Sequence, residues 1–213
     1  MERKLIGITG KYCSGKNHVS SLLEKKGYPS LDLDKLGHKA IEAERDLILK
    51  RFGTDILVDN ILAGDIPGAD NLIDRRKLGQ KVFGSQKELR ALEEIVHPWV
   101  NKETKLWINS REESVCLINA ALLHRSSAFE QFDLIIIVEA PFLIRLLRAK
   151  RRDKLPWLVL LRRLRSQKNF DSQYLRRKTD IYRVGNFSVC MNSGAKLENK
   201  LDEILSLREL YKV

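Results

Sequence analysis

Eight consecutive residues concentrate the chemistry of this chain: Gly10-Lys11-Tyr12-Cys13-Ser14-Gly15-Lys16-Asn17, directly after the apolar run Leu5-Ile6-Gly7-Ile8-Thr9. They fit G-x-x-x-x-G-K, but Asn17 stands where Ser or Thr closes the motif. A β-rich run, a glycine-bounded loop and a helix from His18 to Lys26 follow one another. That order presents backbone N–H groups and the positive end of a helix dipole to an anion. Lys16 adds a point charge for the outer phosphates of a nucleotide. The usual hydroxyl at position 17 ligates magnesium. An amide oxygen is also a hard ligand, one bond further out, so Asn17 is expected to replace it, directly or through water. The plainer reading makes Asn17 only a helix cap.

A pair of carboxylates comes next. Asp32 lies in the run Tyr28-Pro29-Ser30-Leu31-Asp32-Leu33 and Asp34 directly follows it, so on a strand they would share one face. At the carboxyl end of a parallel strand that face looks into a cleft. Asp34 as a simple cap for the following helix, 36–52, is the alternative. Cys13 lies near Lys11 and Lys16, where a lowered thiol pKa would be possible chemistry; a tolerated loop residue is the simpler reading. Cys116 and Cys190 fall in apolar runs and read as small buried hydrophobes. Three widely spaced cysteines without a C-x-x-C fit a reducing compartment, with no disulfide framework or zinc site.

Five strands are expected to position these groups, at 5–9, 28–33, 115–121, 132–138 and 187–191, alternating with helices. The fold class is α/β, a three-layer doubly wound parallel sheet. The turn-rich stretch 53–74 leads into a helical insertion, 53–110. Its first helix opens at Asp74, its second behind the capping box Ser85-Gln86-Lys87-Glu88, with Leu89, Leu92 and Ile95 on one face. His97-Pro98-Trp99 interrupts that helix, which resumes through Trp107. A final amphipathic helix carries Leu197, Leu201, Ile204, Leu205 and Leu210. The chain of 213 residues can bury a sizeable core, and no apolar run approaches the ~18 residues a membrane span requires.

The net charge of +11 is localised. Residues 145–178 hold thirteen Lys or Arg against Asp153 and Asp171, and the rest of the chain is balanced. Such a patch serves nucleic acid or clamps a polyphosphate. Few aromatics interleave with it (Trp157, Phe170, Tyr174), which speaks against a nucleic-acid-binding protein. Asp65-Ile66-Pro67-Gly68 and Asn199-Lys200-Leu201-Asp202 match two short GTPase motifs, yet neither has the required context. Asp65 follows no apolar strand, and Asn199 sits in the last amphipathic helix.

Taken in order, the motifs resemble the dephospho-CoA kinase family. They are the phosphate loop, Leu31-Asp32-Leu33-Asp34-Lys35, Ile73-Asp74-Arg75-Arg76-Lys77-Leu78-Gly79 with Val82-Phe83, His97-Pro98, Arg148 with Arg152-Asp153, Ser166-Gln167 and Asn192-Ser193-Gly194. The family's Val-Pro-Leu-Leu is here Ala120-Ala121-Leu122-Leu123. The resemblance implies a P-loop kinase core over 1–52 and 111–213, a dephospho-CoA-binding insertion, and a basic lid at about 148–178. It implies transfer of the ATP γ-phosphoryl to the ribose 3′-hydroxyl of dephospho-CoA, with Mg2+, in the cytoplasm. Partner molecules would be the small-molecule substrate alone, with no nucleic acid or membrane, and the chain a monomer or weak homo-oligomer. Lys11, Tyr12, Cys13, Ser14, Gly15, Lys16, Asn17 and Arg152 would bind ATP. Asp34 would be the base, Lys16 would bridge the β- and γ-phosphates, and Arg148 would neutralise the migrating group. Asp32, Asp34, His97 and Leu122 would meet the acceptor. Another nucleoside or nucleotide kinase of the same architecture is the closest rival. The apolar stretch Leu155–Leu161 is unusual for a lid and would dock on the core or on a second subunit.

Overall fold

A strand buried on both faces reads as a continuous apolar run, and three such runs form the middle of the sheet. In the computed structural model, which describes residues 3–58, 72–126, 128–167, 169–174, 179–188 and 195–206, β1 spans Lys4–Gly10. It pairs in parallel with β3 (Val115–Asn119) on one side and β4 (Leu134–Glu139) on the other. The sheet order is β2-β3-β1-β4-β5, with every pairing parallel. Alternation sends Ile6, Ile8, Leu117, Leu134 and Ile136 to one face, against α1 (Lys16–Lys25) and the final helix Ala195–Ser206. That final helix buries Leu197, Leu201, Ile204 and Leu205, the expected stripe, and Asn199 lies within it. Gly7 points to the opposite face, where a Cβ would meet Leu123 at 2.5 Å.

Two strands differ from the sequence reading. β2 is only Ser30–Asp32, because Leu33 already starts α2 (Leu33–Ala43). Asp32 and Asp34 therefore do not share a strand face. The last described strand, β5, is Asp180–Gly185, and of the strand expected at 187–191 the described residues Phe187 and Ser188 lie outside it. Among the described residues it lies at the sheet edge, paired with β4, with Arg183 exposed and Val184 buried. An edge strand needs no unbroken apolar run, so the more polar segment carried little strand signal. Phe187 and Ser188 follow the strand. Val189, Cys190, Met191, the Asn192-Ser193-Gly194 turn, Leu210 and the Asp65–Gly68 stretch lie outside the described residues.

The chain divides into two units, residues 1–32 with 108–213, and residues 33–107. The boundary falls at Asp32, ahead of the expected residue 52, because the helices after β2 belong to the second core. α3 (Arg45–Phe52) contributes Ile48 and Phe52 to a cluster with Ile56, Ile73, Leu78 and Val82. The break between α2 and α3 at Glu44 has no Gly or Pro to announce it. α4 (Arg75–Val82) opens on Asp74, whose carboxylate accepts from the N–H groups of Arg76 and Lys77. α5 runs unbroken over Gln86–Asn109 with Pro98 inside it, and Leu89, Leu92 and Ile95 face the cluster. Pro98 removes one helical hydrogen bond, and the helix continues past it, so the expected interruption at His97 does not occur. Ser85 Oγ accepts the N–H of Glu88, while the Glu88 carboxylate pairs with Arg51 at 2.6 Å. α6 (Phe142–Asp153) and α7 (Trp157–Arg165) complete the first unit's helices. Among the described residues no helix is long and apolar enough to cross a membrane.

Ile48 is fully buried, so Ile48→Ala should lower unfolding stability by about 2–5 kcal/mol in a denaturant titration. Leu158, at 77% exposed, should tolerate Ala to within about 0.5 kcal/mol.

Candidate active site

The phosphate loop joins β1 to α1, and both motif glycines are needed for steric reasons. Gly15 caps α1 at φ 99°, and a Cβ there would lie 2.2 Å from Asn186 Nδ2. A Cβ at Gly10 would lie 2.4 Å from Ser14 Oγ and 2.5 Å from the Val138 carbonyl. Cys13 takes the left-handed conformation, φ 59°. The turn is closed by Ser14 N–H donating to Lys11 O at 2.9 Å, and α1 starts with His18 and Val19 donating to Gly15 O. Burial raises the Cys13 thiol pKa against the lowering effect of Arg152, Arg148 and Arg145, so the loop cysteine is not an activated thiolate.

Lys16 is held by amides. Its Nζ donates to Asn17 Oδ1 at 2.9 Å and to Asn119 Oδ1 at 3.0 Å, and Asn119 Nδ2 donates to Asn17 Oδ1 at 3.0 Å. Asn119 ends β3, is 2% exposed, and lies in register with Asp32 on β2. The sequence reading passed over it as part of a buried strand. Its signal was there nonetheless: an amide inside an otherwise apolar run must be bonded to something. The amide oxygens of Asn17 and Asn119 are hard donors of the kind magnesium accepts, though Asn17 Oδ1 here already accepts two hydrogen bonds. Among the described residues no group of three or more His, Cys, Asp or Glu side chains could hold a metal. This donor set suits an ion carried in by the nucleotide and keeping its waters.

Arg148, the residue expected to neutralise the migrating group, is bonded to the protein's own carbonyls. It is 4% exposed and lies behind the loop. Nη1 donates to the carbonyls of Cys13 and Ser14 at 3.2 and 2.8 Å. Nη2 donates to the carbonyl and side-chain oxygen of Asn186, each at 3.0 Å, and to Ser188 O, which also accepts from Nε at 3.2 Å. Arg145, one turn earlier, is also buried, with Nε on Ala140 O. Arg152 lies 5.0 Å over the Tyr12 ring and pairs with Asp153, whose carboxylate also accepts from Tyr12 OH.

The segment after α6 touches the loop at several points. Leu160 and Leu164 of α7 bury against Cys13 and Ala149, so the apolar stretch docks on the core, leaving Trp157 and Leu158 outside. Tyr12 N–H, one of the expected phosphate donors, donates to Gln167 Oε1 at 2.7 Å. Lys11 Nζ pairs with Asp171 at 2.6 Å, Asp171 with Arg183 at 3.0 Å, and Arg183 with Glu139. Two cavities flank this chain of charges. One of about 240 Å3 is lined by Lys11, Arg145, Phe170 and Asp171; one of about 680 Å3 is lined by Asn186, Phe187, Lys196 and Glu203. Leu122, 48% exposed, follows β3 in the first unit. In the second unit Asp34 is an exposed residue in the first turn of α2, and His97 is half-buried on α5.

A parallel five-stranded sheet with a glycine-bounded loop after β1 and a lysine opening α1 defines a phosphate-loop nucleotide-binding fold. The family model CoaE, dephospho-CoA kinase, matches residues 4–183, and the chain belongs to that family. Dephospho-CoA kinase of Treponema denticola is 32% identical over 92% of this chain and 86% of its own length. That of Treponema pallidum is 28% identical over 96% and 95%. Among solved structures, TT1252 from Thermus thermophilus superposes with a TM-score of 0.77 at 29% identity, covering 97% of this chain and 98% of its own. Dephospho-CoA kinase from Campylobacter jejuni shares the fold at TM-score 0.62 and 23% identity, over 97% and 96%.

Burial pushes the Asp171 carboxyl pKa up, but hydrogen bonds from Lys11 and Arg183 outweigh it and hold it below the ordinary value. A depressed carboxyl contributes stability above its unfolded pKa of about 3.9 and loses it as pH falls through the native pKa. Asp171→Asn should therefore lower the melting temperature at pH 7. The gap to the wild type should close as scans move to pH values below about 4.

Proposed function

We propose that this chain transfers the γ-phosphoryl of ATP to the ribose 3′-hydroxyl of dephospho-CoA. What carries the reading is the loop-bound Lys16 ammonium, held at 2.9 and 3.0 Å by two amide oxygens, in a chain whose family match spans residues 4–183. Phosphoryl transfer requires positioning, charge neutralisation and an acceptor for the hydroxyl proton. Backbone N–H groups within residues 11–16 hold the phosphates, apart from that of Ser14, which closes the turn onto Lys11 O, and Lys16 bridges β and γ. Lys16 turns from Asn17 and Asn119 to the anionic phosphate oxygens, to which an ammonium bonds more strongly than to amide oxygens. Asp34 orients the 3′-hydroxyl and takes its proton, and Asp32 supports it. His97 and Leu122 line the acceptor site, and the helical segment 53–110 receives dephospho-CoA. Arg152 leaves Asp153 for a phosphate as the basic segment 148–178 closes over ATP and excludes water. Magnesium, when bound with the nucleotide, neutralises phosphate charge; Asn17 and Asn119 would hold it, directly or through water. The substrate is a small molecule, and the chain works as a monomer or weak homo-oligomer in the cytoplasm.

Purified protein with ATP and Mg2+ should release ADP when given dephospho-CoA in a coupled assay. Turnover confined to a nucleoside panel would replace this assignment with a nucleoside kinase. Asp34→Asn should reduce turnover about 10²–10⁴-fold with ATP binding retained, and near-normal turnover would remove Asp34 as the base. Asn17→Ser should shift the magnesium concentration giving half-maximal rate; an unchanged titration would exclude Asn17 as a ligand.

A further inference from the structure

We propose that Arg148 and Asn186 are positioning residues that aim the phosphate loop's N–H groups from behind, and that Arg148 makes no contact with the transferring phosphoryl. The inference rests on the nucleotide site proposed above. In a planar trans peptide the C=O and the following N–H point in opposite directions. Arg148 Nη1 holds the Ser14 carbonyl at 2.8 Å, so the Gly15 N–H is turned to the other side of the loop. That peptide precedes a glycine at φ 99°, where the backbone has the least intrinsic restraint and most needs an external one. The bond to Cys13 O at 3.2 Å holds the preceding peptide, whose N–H closes the turn onto Lys11 O.

The guanidinium has nothing left for a substrate. All three of its nitrogens are engaged, with the carbonyls of residues 13, 14, 186 and 188 and with Asn186 Oδ1. Asn186 completes the arrangement. Its N–H donates to Glu139 O at 2.8 Å, tying it to the end of β4, and its side-chain oxygen accepts from Arg148. Its Nδ2 is buried without a hydrogen-bond partner and lies against Gly15, in the space a Cβ would take. Strand β4, Asn186, Arg148 and the loop carbonyls thus form one continuous bonded path.

The test is isothermal titration of full-length wild type, Arg148→Lys and Asn186→Ala with ADP and with AMP, alongside steady-state kinetics. These nucleotides differ by the β-phosphate that the loop grips. An ammonium cannot hold this set of carbonyls together, so Arg148→Lys should weaken ADP about tenfold while AMP changes less than about twofold. KM for ATP should rise by a larger factor than kcat falls. Asn186→Ala should give the same pattern at about threefold, and decides the matter alone if Arg148→Lys does not fold. A fall in kcat with ADP affinity intact would place Arg148 on the reacting phosphoryl and overturn the proposal. Parallel losses for ADP and AMP would also overturn it, as general structural damage. Failure to phosphorylate dephospho-CoA with the ADP–AMP difference preserved would instead refute only the acceptor assignment.

Discussion

A loop that grips phosphate must leave some of its N–H groups to the ligand, so much of its shape has to be held through other atoms. This constraint organises the first unit. The carbonyls of Cys13 and Ser14 go to the Arg148 guanidinium, and the glycines at 10 and 15 allow backbone and side chains to close around the loop. Cys13 itself packs with Leu160 and Leu164. β1 and β4 supply the rigid base, because both are central or near-central strands with hydrogen bonds on either side. Breaking a buried arginine's bonds to several carbonyls leaves a buried charge and orphaned acceptors together, a costly combination.

Much of this was legible in the residues. Continuous apolar runs marked β1, β3 and β4, since strands buried on both faces admit few polar side chains. The stripe Leu197, Leu201, Ile204 and Leu205 marked the last helix by its period. Asp74 and Ser85 marked helix starts because their oxygens accept first-turn N–H groups. β5 was hidden because an edge strand carrying Arg183 lacks that apolar signature, and Phe187 onward looked more like a strand by composition. The break at Glu44 and the continuity through Pro98 depend on packing that no local pattern encodes.

The site divided in the same way. The phosphate loop and Lys16 follow from a local motif, whereas Asn119 reaches Lys16 across a separation of 103 residues, and only the parallel register of β1 and β3 brings them together. Arg148 shows the limit of reading charge from sequence. A basic helix suggests a cation for the substrate, and at that position the guanidinium is buried and bonded to the protein's own carbonyls.

The makeup of the sheet's two outer strands has a consequence for the molecule in a crowded solution. β2 offers only three residues of backbone edge, and β5 carries Asp180 and Arg183 among its apolar residues. A short edge and a charged edge both discourage a neighbouring chain from adding a strand. The same polarity that obscured β5 in the sequence thus protects a sheet with a strongly apolar centre from growing beyond its five strands.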